Sequence, residues 1–253
     1  MKLNDFLSAM ERVAPLALAL SFDNPGLLVE PDHGEIRRVL VALDCTADVA
    51  KEAVETGADL VLTHHPLFFS PVKHMRYDDP ETAAACILLR GGVGMFAAHT
   101  NLDAAEGGVN DTLCELFGLI GVVPFDEGVS RLGTLKGETT LGELARFAGK
   151  TLRASVRAVG AEHAAIRRVA VCSGSGASAI LPAAAERADV LLTGEIKHSD
   201  AISAKTLGLN VIAAGHYETE RVVLEPLIRR LQNECFDVQY TLSRADASPF
   251  ARF

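Results

Sequence analysis

The chain contains an internal repeat. Residues 38–63 align with residues 168–193 without a gap, and nine of the 26 paired positions are identical. A duplicated segment of this length predicts two similarly folded halves, and this constrains the fold more than any single motif does. The alternative is that two unrelated segments share a composition rich in alanine and valine.

Short apolar runs recur through both halves, and polar residues follow most of them. Such a run, without helical period, predicts a buried strand. Alanine-rich helical stretches at 47–56 and 177–187 lie between some of the runs. The alternation predicts an α/β protein made of two similar α/β units with largely parallel or mixed sheets. The predicted strands are Val39–Leu43, Leu60–Thr63, Val93–Ala98, Val169–Cys172, Val190–Thr193 and Val211–Ala214.

The segment between the two copies, from residue 121 to about residue 166, has a different composition. Pro124–Gly128 is typical of a turn. A helix is predicted to begin near Thr140, with Glu143 completing a capping box. Two short strands are predicted around this helix, at Arg131–Leu135 and Ser155–Val159. The predicted domains are residues 1–122 and residues 123–253, with a boundary that can be discontinuous.

Charge and cysteine content limit the classes of binding partner and the cellular compartment that we expect. The formal net charge is −9 and the basic residues are scattered, so nucleic-acid binding is not expected. The five cysteines form no C-x-x-C pair, and this favours a reducing compartment over a disulfide framework. The first residues lack a signal-peptide pattern, and no apolar run reaches the roughly 18 residues of a membrane span. We therefore expect a cytoplasmic protein.

Two adjacent histidines follow one predicted strand. His64 and His65 come directly after Leu60–Thr63, at the strand end where open α/β sheets collect ligands. Imidazole is the commonest metal-binding side chain. The pair therefore predicts a metal site, and the alternative is a pair of solvated loop histidines.

Each half also carries a histidine followed four residues later by an acid. These pairs are His99 with Asp103 and His216 with Glu220, and each follows an Ala-Ala strand end. If His216 begins a helix, its side chain and that of Glu220 share one helix face. Asp103 is predicted to lie in an irregular loop. We expect the two halves to bring these pairs to one shared site.

Five side chains form the predicted ligand set: His64, His65, Asp103, His216 and Glu220. Mixed nitrogen and oxygen donors without cysteine argue against a structural zinc site and suit two ions of Zn²⁺, Mn²⁺ or Fe²⁺. Two such ions can activate water and stabilise charge on an attacked carbonyl or phosphoryl group. The set therefore predicts a metal-dependent hydrolase with a small-molecule substrate.

Other residues are candidates for supporting roles. His99, Glu195 and His198 are candidates for proton transfer or for lining the site, and a surface role is open for the last two. Cys172–Gly176 is predicted to follow a strand, where its amides could cradle an anion or form only a tight turn. Phe22–Leu27 is predicted to be a structural turn, which could pack against the site.

Several motifs, in order, resemble those of the Nif-three-like dinuclear metal centre proteins, also called GTP cyclohydrolase I type 2 homologues. The resemblance covers nearly the whole chain, although this sequence has Phe22 where the family usually has Trp. The motifs are Ser-Phe-Asp-Asn-Pro-Gly-Leu (21–27), Leu-Thr-His-His-Pro-Leu-Phe (62–68), His-Thr-Asn-Leu-Asp with Gly-Gly-Val-Asn-Asp (99–111), Cys-Ser-Gly-Ser-Gly (172–176), Thr-Gly-Glu-Ile-Lys-His (193–198) and Gly-His-Tyr-Glu-Thr-Glu (215–220).

The resemblance implies the same five metal ligands, two ions per subunit and two similar α/β domains. It also implies a toroidal homohexamer with the metal sites facing an internal cavity, and it implies GTP ring opening as the activity. Two alternatives remain open beside a hydrolase of a small nucleotide or ring amide. One is a non-catalytic metal-binding or scaffold hexamer, and the other is a two-metal phosphoesterase.

Overall fold

The computed structural model describes residues 1–251. Eleven strands and ten α-helices are assigned within that range, together with short 3₁₀ helices at Leu16–Leu18 and Arg221–Val223. In chain order they are α1 (Leu3–Val13), β1 (Gly26–Val29), β2 (Arg38–Ala42), α2 (Ala47–Thr56), β3 (Leu60–Thr63), α3 (Ala83–Gly91), β4 (Gly94–Ala97), α4 (Thr100–Ala104), α5 (Val109–Leu116), β5 (Ile120–Phe125), β6 (Ser130–Thr140), α6 (Leu141–Thr151), β7 (Arg157–Val159), β8 (Ala165–Ser175), α7 (Ile180–Ala185), β9 (Val190–Glu195), α8 (His198–Thr206), β10 (Asn210–Ala213), α9 (His216–Glu220), α10 (Leu224–Glu234) and β11 (Gln239–Leu242).

The chain divides into two compact units. The first contains Met1–Ala105 and Leu224–Pro249, and the second contains Glu106–Val223 with Phe250 and Ala251. The chain thus passes from the first unit to the second before α5, whereas the sequence analysis placed the boundary between residues 122 and 123. The physical reason is that α5 buries Leu113 in the core of the second unit. The first unit is discontinuous because β11 pairs with β2.

Each unit has a mixed sheet. The first sheet has the order β1-β4-β3-β2-β11, with only β1 antiparallel to its neighbour within the described chain. The second sheet has the order β5-β6-β8-β9-β10-β7. Its strands β8, β9 and β10 are parallel to one another, while the flanking strands pair antiparallel. The predicted α/β class with two similar units is confirmed.

The two copies of the repeat fold in the same register. Val39 pairs with Leu60 across β2 and β3, and Val169 pairs with Val190 across β8 and β9. In each copy, an aspartate between the helix and the following strand makes the same hydrogen bonds. Asp59 accepts hydrogen bonds from the amides of Arg37 and Arg38, at the start of β2, and Asp189 accepts them from the equivalent amides of Arg167 and Arg168. The identity of this aspartate in the repeat therefore has a structural cause.

Alternate strand residues cover opposite faces of the second sheet. Val169 and Val171 belong to one core, and Ala170 belongs to a second core on the other face. In the first unit, Leu40 and Val61 pack with the inner faces of α2 and α3. Burial of both faces explains why these strands are continuously apolar.

Several elements agree with the sequence and others differ. The helix at residues 47–56 and the Thr140–Glu143 capping box are confirmed. The predicted helix at 177–187 is shorter, and β8 extends through Ser175, so Cys172–Gly176 does not simply follow a strand. The cysteines are free thiols. No helix of residues 1–251 is both long enough and apolar enough to cross a membrane.

Candidate metal centre

His64 and His65 lie at the carboxyl end of β3. Backbone hydrogen bonds fix this strand end: the His65 amide donates to the Leu43 carbonyl at 3.0 Å, and the Ala98 amide donates to the Thr63 carbonyl at 2.9 Å. The Thr63 hydroxyl donates to the His65 carbonyl at 2.7 Å. These bonds connect the ends of three neighbouring parallel strands, so the position of the two histidines follows from the sheet.

The imidazoles of this pair are oriented by acceptors behind them. The Nδ1 atom of His64 lies 2.8 Å from the Ala98 carbonyl oxygen, and the Nδ1 atom of His65 lies 2.8 Å from a carboxylate oxygen of Asp44. Because both acceptors can only accept, each Nδ1 carries a proton, and Nε2 is the ring nitrogen that is turned away from these acceptors. A metal-binding histidine is commonly held in this way, with its other nitrogen donating to a carbonyl or a carboxylate.

His99 lies beside this pair. Its ring centroid is 5.0 Å from that of His64 and 5.5 Å from that of His65. One nitrogen from each of the three rings lies within 4.8 Å of the others. Three converging imidazole nitrogens form a group that could hold a cation.

Asp23 holds His99 in place. The Nδ1 atom of His99 lies 2.9 Å from one Asp23 carboxylate oxygen, and the Thr100 amide donates to the other at 3.0 Å. Burial of Asp23 raises its pKa, but the hydrogen bonds from His99 and Thr100 outweigh that effect and lower its pKa to about 2. The turn at residues 22–27 therefore does pack against the site.

Asp103 lies in helix α4 and not in the predicted loop. The side chain of Asn101 holds the start of this helix: it accepts a hydrogen bond from the His99 amide at 2.9 Å and donates to the Ala14 carbonyl at 2.7 Å. Asp103 is buried, and its Oδ1 lies 3.7 Å from Nε2 of His64. The first unit thus places His64 close to both His65 and Asp103.

The second unit carries the other two predicted ligands on helix α9. The helix begins at His216, and Nε2 of His216 lies 3.1 Å from Oε2 of the buried Glu220. On the other side of the ring, Nδ1 of His216 lies 3.1 Å from a carboxylate oxygen of Glu195. The predicted helix with both side chains on one face is confirmed. Glu195 orients His216 in the way Asp44 orients His65.

Gly174 makes room for this pair. A Cβ atom at residue 174 would lie 1.9 Å from Oε1 of Glu220 and 3.1 Å from Nε2 of His216, and the residue has a φ of +58°. The Gly174 amide donates to the Thr219 hydroxyl at 3.1 Å, and the Ser173 amide donates to Asn110 at 2.8 Å. These two amides are therefore engaged by side chains, and the anion-cradle interpretation does not hold for them.

His198 does not join this group. It is exposed at the start of α8, and no hydrogen bond or ion pair connects it to His216 or Glu220 in the part of the chain that the structure describes. Instead it lines a separate cavity with Arg157 and Lys197. Of the three supporting candidates, His99 and Glu195 lie at the predicted ligands and His198 does not.

Sequence reasoning missed the roles of Asp44 and Asp23. Asp44 comes shortly after β2, so the signal that identified His64, a polar residue just beyond an apolar strand, could have found it. Asp23 precedes its strand and carries no comparable signal. Neither residue is close in sequence to the histidine it holds.

Comparisons with known proteins agree with this fold. A sequence model of the family Duf34/NIF3 (NGG1p interacting factor 3) matches residues 1–249. The chain is 34% identical over 259 residues to a "GTP cyclohydrolase 1 type 2 homolog" of Clostridium perfringens, with 99% of each chain covered. A protein of the same name from Methanocaldococcus jannaschii is 35% identical over 224 residues, covering 87% of this chain and 90% of the relative.

Solved structures show the same architecture. Staphylococcus aureus protein SA1388 has a TM-score of 0.91 at 27% identity, with 100% of this chain and 99% of that chain covered. Reduced HcgD from Methanocaldococcus jannaschii has a TM-score of 0.83 at 32% identity, with 96% and 97% covered.

Proposed function

Because this chain belongs to the Duf34/NIF3 family, we propose that it is a metal-dependent hydrolase of a small nucleotide or ring amide. The relatives' name, "GTP cyclohydrolase 1 type 2 homolog", makes GTP the first substrate to test. The observation that carries the proposal is the orientation of His64, His65 and His216. In each ring Nδ1 faces an acceptor of the protein, so Nε2 is the nitrogen that would bind a metal ion.

The proposed ligands are His64, His65 and Asp103 from the first unit and His216 and Glu220 from the second. Imidazole nitrogens and carboxylate oxygens suit zinc, iron or manganese, and two such ions per subunit match the donors available. When bound, they would supply Lewis acidity and a water molecule of lowered pKa. Gly174 supports the assignment, because only a residue without a side chain fits beside Glu220 and His216.

His99 is the proposed proton carrier. Asp23 holds Nδ1 of His99 protonated, so Nε2 can take a proton from the attacking water and return it to the leaving group. Glu195 acts through His216 as a positioning residue, since its carboxylate fixes the orientation of that ring. His99 therefore governs turnover, whereas Glu195 governs metal retention.

The experiment combines metal content with product analysis. The purified protein is loaded with zinc, manganese or iron, its metal is measured by mass spectrometry, and GTP is followed by liquid chromatography with mass detection. Ring opening adds water to the nucleotide, whereas a phosphoesterase releases phosphate. A protein that holds its metal and leaves GTP and related purine nucleotides unchanged would exclude this substrate class and favour a metal-binding role without catalysis.

Variants separate the proposed roles. His65→Gln is expected to lose both metal and turnover. His99→Gln is expected to keep its metal and lose about 100-fold in kcat. The matched control is His163→Gln, because His163 is exposed on the second unit. We also propose that the protein is a homohexamer, which light scattering of the purified chain tests directly.

A further inference from the structure

A cavity of about 230 Å³ in the second unit is lined by three basic side chains. These are Arg157, Lys197 and His198, and the other lining side chains are apolar. Among the described residues that form the wall, none is acidic. This composition differs from the chain as a whole, which has a net charge of −9.

The sheet explains why these three residues meet. Lys197 and His198 follow the carboxyl end of β9, and Arg157 opens β7, where it pairs with Ala213 at the carboxyl end of β10. Since β9 and β10 are parallel, their carboxyl ends lie at one edge of the sheet. Glu195 and His216 come from the ends of the same two strands. The cavity therefore lies at the edge that carries the second unit's metal-ligand pair.

The basic side chains are not neutralised within the described residues. No ion pair involves Arg157, Lys197 or His198 there. The two carboxylates nearest in sequence are engaged: Asp200 accepts from the Lys197 amide at 2.8 Å, and Glu195 contacts His216. The positive charge of the cavity is thus available to a ligand.

Other arginines of the same unit provide a contrast. Arg146 pairs with Glu162 at 3.0 Å, and Arg168 contacts Glu186 at 3.5 Å. Each of these guanidinium groups has a carboxylate partner within the protein. Arg157 has none among residues 1–251, and this exposed residue lines the cavity.

We infer that this cavity binds a phosphate group of the substrate, so that the substrate class is a phosphate-bearing compound. The guanidinium fork and a lysine ammonium are the side chains that best recognise phosphate. The cavity is smaller than the about 300–1,000 Å³ of pockets that hold whole ligands, so it suits one phosphate group and leaves the rest of the molecule outside. This inference rests on the proposed function, because it names what that centre acts on.

The test compares binding of GMP, guanosine and inorganic phosphate by calorimetry, using the metal-loaded full chain. The double variant Arg157→Gln/Lys197→Gln is expected to bind GMP and inorganic phosphate about 10- to 100-fold more weakly than the wild type, while guanosine binding and metal content stay the same. Arg157→Lys should retain part of the affinity. The matched control is Lys205→Gln, which removes one positive charge from α8 outside the cavity.

Two results would overturn the inference: the double variant binding inorganic phosphate as tightly as the wild type, or Lys205→Gln losing as much affinity as the double variant. Its failure is separable from failure of the proposed function. Hydrolysis of GTP that is undiminished in the double variant rejects the phosphate site and retains the hydrolase. Phosphate binding that depends on the cavity, without hydrolysis of any phosphate compound, retains the site and rejects the hydrolase.

Discussion

The Nδ1 atom of His65 lies 2.8 Å from a carboxylate oxygen of Asp44, a residue 21 positions earlier in the chain. This contact exists because β2 and β3 are parallel and Ala42 pairs with Thr63, so both residues leave the same edge of the sheet. The carboxylate fixes the ring and its tautomer, and it raises the basicity of Nε2.

Removal of this carboxylate is predicted to weaken metal binding. Asp44→Ala should lower metal affinity about 10- to 100-fold, because the His65 ring loses the acceptor that orients it. Asp44→Asn keeps an acceptor without the charge, so its metal affinity should lie between that of the wild type and that of Asp44→Ala. Competition with a chelator of known affinity measures the effect. Asp48→Ala is the control, since Asp48 is exposed and contacts only Lys51 among the described side chains; equal affinity in the two alanine variants would contradict the role of Asp44.

A side chain at residue 174 is predicted to disrupt the proposed ligand pair of the second unit, His216 and Glu220. Gly174→Ala introduces both a left-handed alanine and a Cβ atom 1.9 Å from Glu220, so it should lose stability and metal together. Gly118→Ala isolates the backbone effect, because Gly118 has a φ of +64° and open space around its Cβ position. That control should cost about 1–2 kcal/mol in the free energy of unfolding and keep its metal. Metal content equal in both variants would argue against Gly174 as part of the site.

The Asp23 carboxylate is predicted to stabilise the protein in a pH-dependent way. Its pKa of about 2 in the folded state lies below the ordinary value of 3.8. The stabilisation is therefore complete above about pH 4 and is lost as the pH falls toward 2, with a magnitude of about 2 kcal/mol. Urea unfolding of the metal-free protein measures it. The difference between wild type and Asp23→Asn should be larger at pH 6 than at pH 3, and the opposite trend would reject this account.

The capping box of α6 is predicted to affect stability alone. The Thr140 hydroxyl accepts from the Glu143 amide, and the Glu143 carboxylate accepts from the Thr140 amide at 3.0 Å. Thr140→Ala should lower the free energy of unfolding by about 1 kcal/mol, as loss of an N-cap does elsewhere, and leave metal content unchanged. Thr206→Ala removes a hydroxyl from the last turn of α8, where no cap is lost, and should be close to neutral in the same denaturation experiment.

Sequence patterns identified the elements that depend on neighbouring residues. The capping box at Thr140 and the helix carrying His216 and Glu220 follow from spacings of three and four residues, because helical geometry repeats over that distance. The repeat predicted two units with the same strand register, and Asp59 and Asp189 show why it is retained. The sequence did not predict the boundary between the units, because helix α5 and strand β11 belong to the unit against which they pack, and this depends on tertiary contacts.

The proposed ligands could be named from the sequence, because an apolar strand ending in His64-His65 and an acid four residues after His216 are local signals. The residues that hold those side chains in place could not be identified from the sequence. Asp44 reaches His65 and Asp23 reaches His99 across 21 and 76 positions, and Arg157 joins Lys197 only because β7 pairs with β10. Spacing along the chain encodes which side chains share a turn of helix or a strand end. Strand pairing between distant segments decides which carboxylate stands behind which imidazole, and no local pattern carries that information.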